Sequence, residues 1–514
     1  MLTKHDGEQG AAQTTDTLLP KQSKKPLNKG QCSLDFADDY APALESTQMV
    51  SINSRYGLFI DGKQQAPLSE QYFATINPAT AEPLAEIAVA DQRDVDKAVQ
   101  SSRKAYEKVW SKLSPAKRGR YLYRIARILQ ERAKEFAVLE TIDGGKPIKE
   151  SRDIDIPLAA AHFFYYAGWA DKLDYAYPGK SVRPLGVCGQ VIPWNFPLLM
   201  AAWKLAPALA CGNTCVLKPA ETTPLTALLL AEVLQEAELP DGVVNIITGA
   251  GETGSLLCQS HELDKVAFTG STDVGKLIAK NLASRGTKLS LELGGKSAHI
   301  VFKDAAIDQA VEGVINGIYF NQGHVCCAGS RLLLEESIAE LFVDKLKARM
   351  QHLRVGNPLD KNTDIGAINS KAQWERINTL IKLGKDEPGG FYQLDTKLPE
   401  KGYFIAPCFF TEQSSSNSLS QVEVFGPVLS IMTFRTPEEA VLKANNTHYG
   451  LAAGIWSEKG AKVRDIASKL NAGVIWANTY NKFDPSAPFG GFKESGYGRE
   501  GGLQGLHPYL EVLH

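Results

Sequence analysis

The sequence predicts an α/β protein built on two doubly wound, Rossmann-like parallel sheets, and three observations lead there. Short apolar runs of strand character alternate with stretches of helical periodicity through residues 187–284, the pattern of parallel strands joined by helical crossovers. A second series of the same kind follows Glu292. The 514 residues also exceed what one hydrophobic core usually serves, so at least two domains are expected.

The elements read in order from Tyr56. Residues 57–60 make a short strand that enters an Asp61-Gly62 turn, and 94–110 and 117–143 carry apolar residues at helical spacing, the second run stopping at Gly144-Gly145. Strand 187–192 then leads into helix 198–209, 214–217 into 224–238, 243–247 into 254–260, and 266–268 into 274–284. The later series includes strands 298–301 and 330–334 and a helix over 338–354. No repeat and no low-complexity linker separates the two series, which predicts tightly packed domains.

Residues 1–50 differ from the rest. They are rich in Gln, Thr, Lys, Asp and Ser, have no period and contain no arginine, the first being Arg55. A secretory signal needs an apolar stretch and a mitochondrial presequence is poor in acids, so Asp6, Glu8, Asp35, Asp38 and Asp39 argue against both. The segment reads as a flexible extension. The most membrane-like stretch, 186–203, is interrupted by Gln190, Pro193, Asn195 and Pro197 and reads as core beside a functional turn.

Composition narrows the function classes. Lys+Arg at 56 against Asp+Glu at 58 gives a net charge of −2, which offers neither a nucleic-acid footprint nor a polybasic membrane signal. Eight scattered cysteines, including Cys32, Cys211 and Cys408, form no disulfide framework and no paired metal knuckles, so no metal is expected and a reducing, cytoplasmic setting is.

Two local patterns carry chemistry. Gly323-His324-Val325-Cys326-Cys327-Ala328-Gly329 sets a thiol pair among small residues after the apolar run 314–320. It is either a nucleophile loop or a tight turn with two buried cysteines, and a base, an oxyanion donor and a cofactor site elsewhere must decide. Gly249-Ala250-Gly251-Glu252-Thr253-Gly254 follows strand 243–247 and opens a helix, where backbone N–H groups can meet phosphate. Phe268-Thr269-Gly270-Ser271-Thr272 is a rival anion site, and the glycine pattern could equally be a turn.

Seven motifs taken together resemble the NAD(P)-dependent aldehyde dehydrogenase superfamily. They are Pro193-Trp194-Asn195-Phe196-Pro197, Lys218-Pro219-Ala220-Glu221, 268–272, Glu292-Leu293-Gly294-Gly295-Lys296, the Cys326 loop, Glu423-Val424-Phe425-Gly426-Pro427 and Pro488-Phe489-Gly490-Gly491-Phe492-Lys493. They occur in the family's order and close to its spacing, with 326 − 292 = 34 residues between glutamate and cysteine. The resemblance runs from Tyr56 to the C-terminus. Residues 41–45 and 167–172 look most like family-sixteen proteins.

The resemblance implies an oxidation of an aldehyde to the carboxylic acid with NAD, NADP being a further possibility. Cys326 would add to the aldehyde carbonyl, and the resulting oxyanion would face the Asn195 amide and the Cys326 backbone N–H. Loss of hydride to the nicotinamide leaves a thioester, which water activated by Glu292 would hydrolyse. Lys204 reads either as an aid to proton movement or as a plain surface or helix-capping lysine. Lys218 and Glu221 would hold a ribose diol, Glu423 the nicotinamide ribose with Phe425 near the ring, and Trp194, Gly251, Gly254, Gly270, Ser271 and Leu293 complete the cofactor set. Glu221 would repel a 2′-phosphate, which leans the reading to NAD. Cys327 reads as a structural neighbour, and His324 stands where the family commonly has glutamine.

The resemblance also divides the chain into a cofactor domain (51–164 and 184–293), a catalytic domain (294–496) and a β oligomerisation segment (165–183 and 497–514) that implies a homo-oligomer. A CoA-acylating dehydrogenase and a non-catalytic scaffold are the alternatives. Glu292 argues against the first, and the retained Cys326, Glu292, Asn195, Lys218 and Glu423 against the second.

Overall fold

Strands buried at every position, Val187–Val191, Thr214–Lys218 and Lys265–Thr269, form the centre of the first sheet of this computed structural model, which describes residues 41–513. Burial on both faces requires such continuous apolar runs, because helices cover a parallel sheet from either side. Across the sheet the order is Gly496–Tyr497, Lys288–Glu292, Lys265–Thr269, Val187–Val191, Thr214–Lys218, Val244–Ile246, Leu58–Ile60, Lys63–Gln65. The five central strands are parallel and the outer ones antiparallel. Chain order reverses between Val187–Val191 and Lys265–Thr269, so the loops leaving these two strands diverge and open a crevice at their carboxyl ends.

The second sheet runs Gly390–Gln393, Cys408–Thr411, Val428–Phe434, Arg331–Glu335, Ala298–Val301, Ala452–Trp456, Val474–Ala477 and is parallel except at Gly390–Gln393. Glu292 ends its strand in the first sheet, and six residues later Ala298 begins a central strand of the second. The carboxyl edge of one sheet therefore faces the amino edge of the other. One buried apolar cluster contains residues of both, among them Leu217 and Ile246 with Leu332 and Leu429. Three smaller sheets complete the described fold: Arg55–Tyr56, Glu82–Ala88 and Tyr72–Asn77, a ribbon of Leu510–Leu513 with Ser181–Pro184, and a short pair of Tyr449–Gly450 with Phe492–Lys493.

Three expectations are corrected. The helix read over 117–143 is two helices, Pro115–Glu131 and Ala133–Gly144, parted at Arg132, which leaves helical geometry and pairs with Glu135 and Glu232, each at 2.8 Å. Of the β segment read over 165–183, only Ser181–Pro184 is a strand, because Tyr165 and Tyr166 belong to the helix Ile156–Trp169 and the Tyr166 hydroxyl donates to the Gly502 carbonyl at 2.9 Å. Within the extension, residues 43–45 are held: Leu44 bridges Asp360, and the buried Glu45 carboxylate meets Lys134 at 3.1 Å and Lys361 at 3.5 Å. The remainder of that expectation, residues 1–40, and Cys32 lie outside the described residues. Seven cysteines are described and all are free thiols. Among the described residues no helix is long and apolar enough to cross a membrane, and no cluster of His, Cys, Asp and Glu could hold a metal ion.

Candidate active site

The helix Ile307–Tyr319 ends one residue short of three consecutive residues with left-handed backbone, Asn321 (φ 48°), Gln322 (φ 53°) and Gly323 (φ 76°). Such a run is costly for non-glycine residues and persists where other contacts enforce it. Here Gln322 spans to the 366–367 backbone, accepting from Gly366 N at 3.2 Å and donating to the Ala367 carbonyl at 3.0 Å, and a Cβ on Gly323 would lie 2.1 Å from the Gly426 carbonyl. The loop delivers Cys326, partly exposed, and Cys327, buried, to the amino edge of the second sheet. The neighbouring Cys327 thiol, and then burial, push the Cys326 thiol well above its ordinary pKa.

Cys326 and Glu292 line one cavity. Glu292 is only 4% exposed and neither carboxyl oxygen has a hydrogen-bond partner. Burial first and the nearby Glu500 second raise its pKa well above the usual carboxylate range, while Lys204 pulls it down. Lys204, buried in the helix Pro197–Ala210, is ion-paired with Glu500. The sequence reading missed Glu500. Its signal is an Arg499-Glu500 charge pair inside the glycine run 496–502, the same setting in which Glu292 was found.

Asn195 lies in the loop after Val187–Val191, at the crevice. Its amide Nδ2 donates to the His324 carbonyl at 2.9 Å, which ties the turn to the cysteine loop, while its Oδ1 has no partner. His324 is buried, stacks on Phe425 with ring centroids 5.8 Å apart and meets Trp194 edge-on at 4.8 Å. Burial lowers its pKa to about 3, so the imidazole is neutral at pH 7 and lends the thiol no positive charge. Trp194 in turn meets Phe425 edge-on at 5.2 Å.

Along the crevice, Lys218 ends its strand and pairs with Glu221 at 3.4 Å. Gly254 would place a Cβ 3.8 Å from the Lys218 side chain, and a Cβ on Gly251 would meet nothing within 4 Å, so the start of the helix Gly251–Gln259 is open beside Lys218. Ser271 caps the position before Thr272–Leu282 without a side-chain capping bond, Gly270 N donates to the Glu292 carbonyl at 3.1 Å, and the buried hydroxyls of Thr269 and Thr272 have no partner. Leu293 N donates to the Ser495 carbonyl at 3.0 Å, and Gly275 stands where a Cβ would strike the Leu293 side chain at 2.4 Å. Glu423 accepts from Gly295 N at 3.0 Å, and burial raises its pKa to about 7. The Glu221 and Glu423 carboxyls, an open helix start and the orphaned hydroxyls of Thr269 and Thr272 are a donor and acceptor set that fits a nicotinamide dinucleotide.

Comparison with known proteins agrees with this geometry. The aldehyde dehydrogenase family profile matches residues 65–514. The chain is 43% identical over 471 residues to the mitochondrial aldehyde dehydrogenase of Homo sapiens, covering 88% of this chain and 90% of that protein. It is 43% identical over 468 residues to Retinal dehydrogenase 2 of Homo sapiens, with the same coverage of 88% and 90%. The NAD+ complex of aldehyde dehydrogenase from Bacillus cereus superposes with a TM-score of 0.88 at 39% identity, covering 92% of this chain and 98% of that one. The narrower family-sixteen likeness rests on residues 41–45 and 167–172 alone. The site presents a thiol and an unpartnered carboxyl on one cavity at the edge of a dinucleotide-type crevice, and the match over most of its length shows that the chain belongs to the aldehyde dehydrogenase family, NAD-dependent oxidoreductases that act on aldehydes.

Proposed function

We propose that Cys326 is the nucleophile, Glu292 the general base and Asn195 the oxyanion donor of an oxidation of aldehyde to carboxylic acid, with Lys204 in the proton path. The shared cavity of Cys326 and Glu292 carries this reading. The Cys326 sulfur adds to the aldehyde carbon, and the charge that develops on oxygen is met by the Asn195 amide and the Cys326 backbone N–H, a kind of donor whose removal costs roughly 3–4 kcal/mol. Lys218, Glu221, Glu423, Trp194 and Phe425, with Gly251, Gly254, Gly270, Ser271 and Leu293, would hold NAD, which supplies a hydride acceptor when bound. Glu292 takes a proton from the water that attacks the Cys326 thioester, and the acid and the free thiol result. The Lys204–Glu500 pair adjoins Glu292 and would carry that proton onward. Cys327, whose thiol points to Asn481 Oδ1 at 3.7 Å, serves structure.

The remaining wall of the cavity includes Leu158, Phe196, Leu199, Trp203, Phe483 and Phe489, which suits an apolar or aromatic aldehyde. The two sheets correspond to a cofactor domain (51–164 and 184–293) and a catalytic domain (294–496). The ribbon of Ser181–Pro184 and Leu510–Leu513 has a free edge for a second copy of the chain, in a dimer or tetramer. The seven free cysteines suit the cytoplasm.

Stopped-flow NADH formation with a panel of aldehydes tests the mechanism. Cys326→Ala should abolish it, and Glu292→Gln should keep a first burst while losing steady turnover. A Cys326→Ala enzyme with full turnover, or a wild type that makes no NADH with any aldehyde, overturns the reading.

A further inference from the structure

A buried charge cluster lies beneath the site, and none of its members has a part in the chemistry above. Glu140, Lys146, Glu150 and Asp155 are all buried. The Lys146 ammonium contacts Glu140 Oε1 at 3.0 Å, is ion-paired with Asp155, and sits 4.4 Å from the centroid of the Phe196 ring. Three carboxyls around one ammonium are expensive to bury unless their remaining oxygens are used. Two of them are used on backbone N–H groups that flank the reacting atoms.

Glu140 Oε2 accepts from Leu198 N at 3.2 Å, at the start of the helix that follows Asn195, where an N–H has no partner within the helix. Glu150 Oε2 accepts from Asn321 N at 2.9 Å, at the first residue of the left-handed run. Asn321 then closes the circuit. Its Nδ2 donates to the Asn195 carbonyl at 2.8 Å, and its own carbonyl accepts from His324 N at 2.8 Å.

We propose that Glu150 and Glu140, gathered round Lys146, are positioning residues that hold the cysteine loop and the Asn195 turn in register, so that the oxyanion donor and the nucleophile meet the same carbonyl group. Neither touches substrate or cofactor. The inference rests on the assignment of Cys326 and Asn195 given above. Left-handed Asn and Gln each cost on the order of 1–3 kcal/mol, and Glu150 is one of the contacts that keep Asn321 there.

The test uses the full-length enzyme with NAD and a reactive aldehyde. The readouts are the NADH burst rate, the rate at which iodoacetamide alkylates Cys326, the NAD dissociation constant and Tm. Glu150→Leu should slow burst and alkylation by about tenfold, the worth of one buried hydrogen bond, and leave NAD affinity unchanged. Glu150→Gln should recover most of the loss, because its amide oxygen still accepts from Asn321 N. A folded Glu150→Leu enzyme with the wild-type burst rate overturns the proposal, and so does a Glu150→Gln enzyme as slow as Glu150→Leu. Should Glu150→Leu fail to fold, Asn321→Gly keeps the left-handed backbone without strain and removes the amide that reaches Asn195. It should slow the burst likewise, and an unchanged burst overturns the proposal. Failure of the parent mechanism looks different, since it shows as turnover by Cys326→Ala or an inert wild type.

Discussion

Lys204 and Glu500, 296 residues apart in sequence, form a buried ion pair beside Glu292. The two act on the Glu292 carboxyl in opposite directions, Glu500 raising its pKa and Lys204 lowering it.

The direction of a pH profile follows from that opposition. Glu292 must be ionised to accept a proton, and its pKa lies well above the usual carboxylate value, so steady-state turnover should rise with pH through the raised pKa and be lost below it. Lys204→Met removes the stabilising charge and should move the rising limb to higher pH. Glu500→Gln removes the like charge and should move it lower. Profiles of kcat for the three enzymes check the prediction, and shifts of the same sign in both variants would defeat it.

The two adjacent thiols should separate cleanly. Cys327 is fully buried, so Cys327→Ala should keep the NADH burst and lose about 1–2 kcal/mol of stability as a small cavity opens. Alkylation of Cys326 by iodoacetamide should accelerate as pH rises, since its thiol pKa is raised, with no step from His324, whose pKa is lowered to about 3. Mass mapping of the labelled peptide at several pH values measures both.

Cofactor affinity should respond to Gly294. A Cβ there would lie 2.2 Å from Glu423 Oε2, so Gly294→Ala must displace that carboxylate. The KM for NAD should rise about tenfold, the cost of losing one good hydrogen bond to a charged group, while the aldehyde KM changes little. Initial rates with each substrate varied in turn would show it.

The apolar wall of the cavity makes a graded prediction. Each methylene added to a straight-chain aldehyde should contribute about 0.8 kcal/mol, raising kcat/KM by about fourfold for as long as the added carbons lie against this wall. Trp203→Ala should extend the series to longer aldehydes. A flat dependence on chain length would mean that the substrate does not enter along this wall.

Much of this fold is legible in the chain because strands covered on both faces must be apolar throughout. Val187–Val191, Thr214–Lys218 and Lys265–Thr269 announce themselves for that reason, with each end at most one residue from expectation. The break at Arg132 is not legible, since its cause is an ion pair with Glu232, 100 residues on. The three-stranded sheet of residues 55–88 went unread because its strands are half exposed and short on apolar residues. In the site, Cys326, Asn195 and Glu292 stand in motifs dense with Gly and Pro, and the structure brings the thiol and the carboxyl to one cavity. Glu150 stands in no such setting, and the glycine run around Glu500 does not by itself say what it meets. Glu500 comes to Glu292 only because Gly496–Tyr497 returns to pair with Lys288–Glu292, and Glu150 sits in a charged stretch, 149–155, that reads like surface.

The meeting of one sheet's carboxyl edge with the other's amino edge sets how this enzyme fails. Glu292 and the crevice belong to one sheet and Cys326 to the other, so under the mechanism proposed above neither half would be reactive alone. A small parting of the two, by heat or mild denaturant, should silence the enzyme while both sheets still stand, and inactivation should run ahead of the loss of secondary structure.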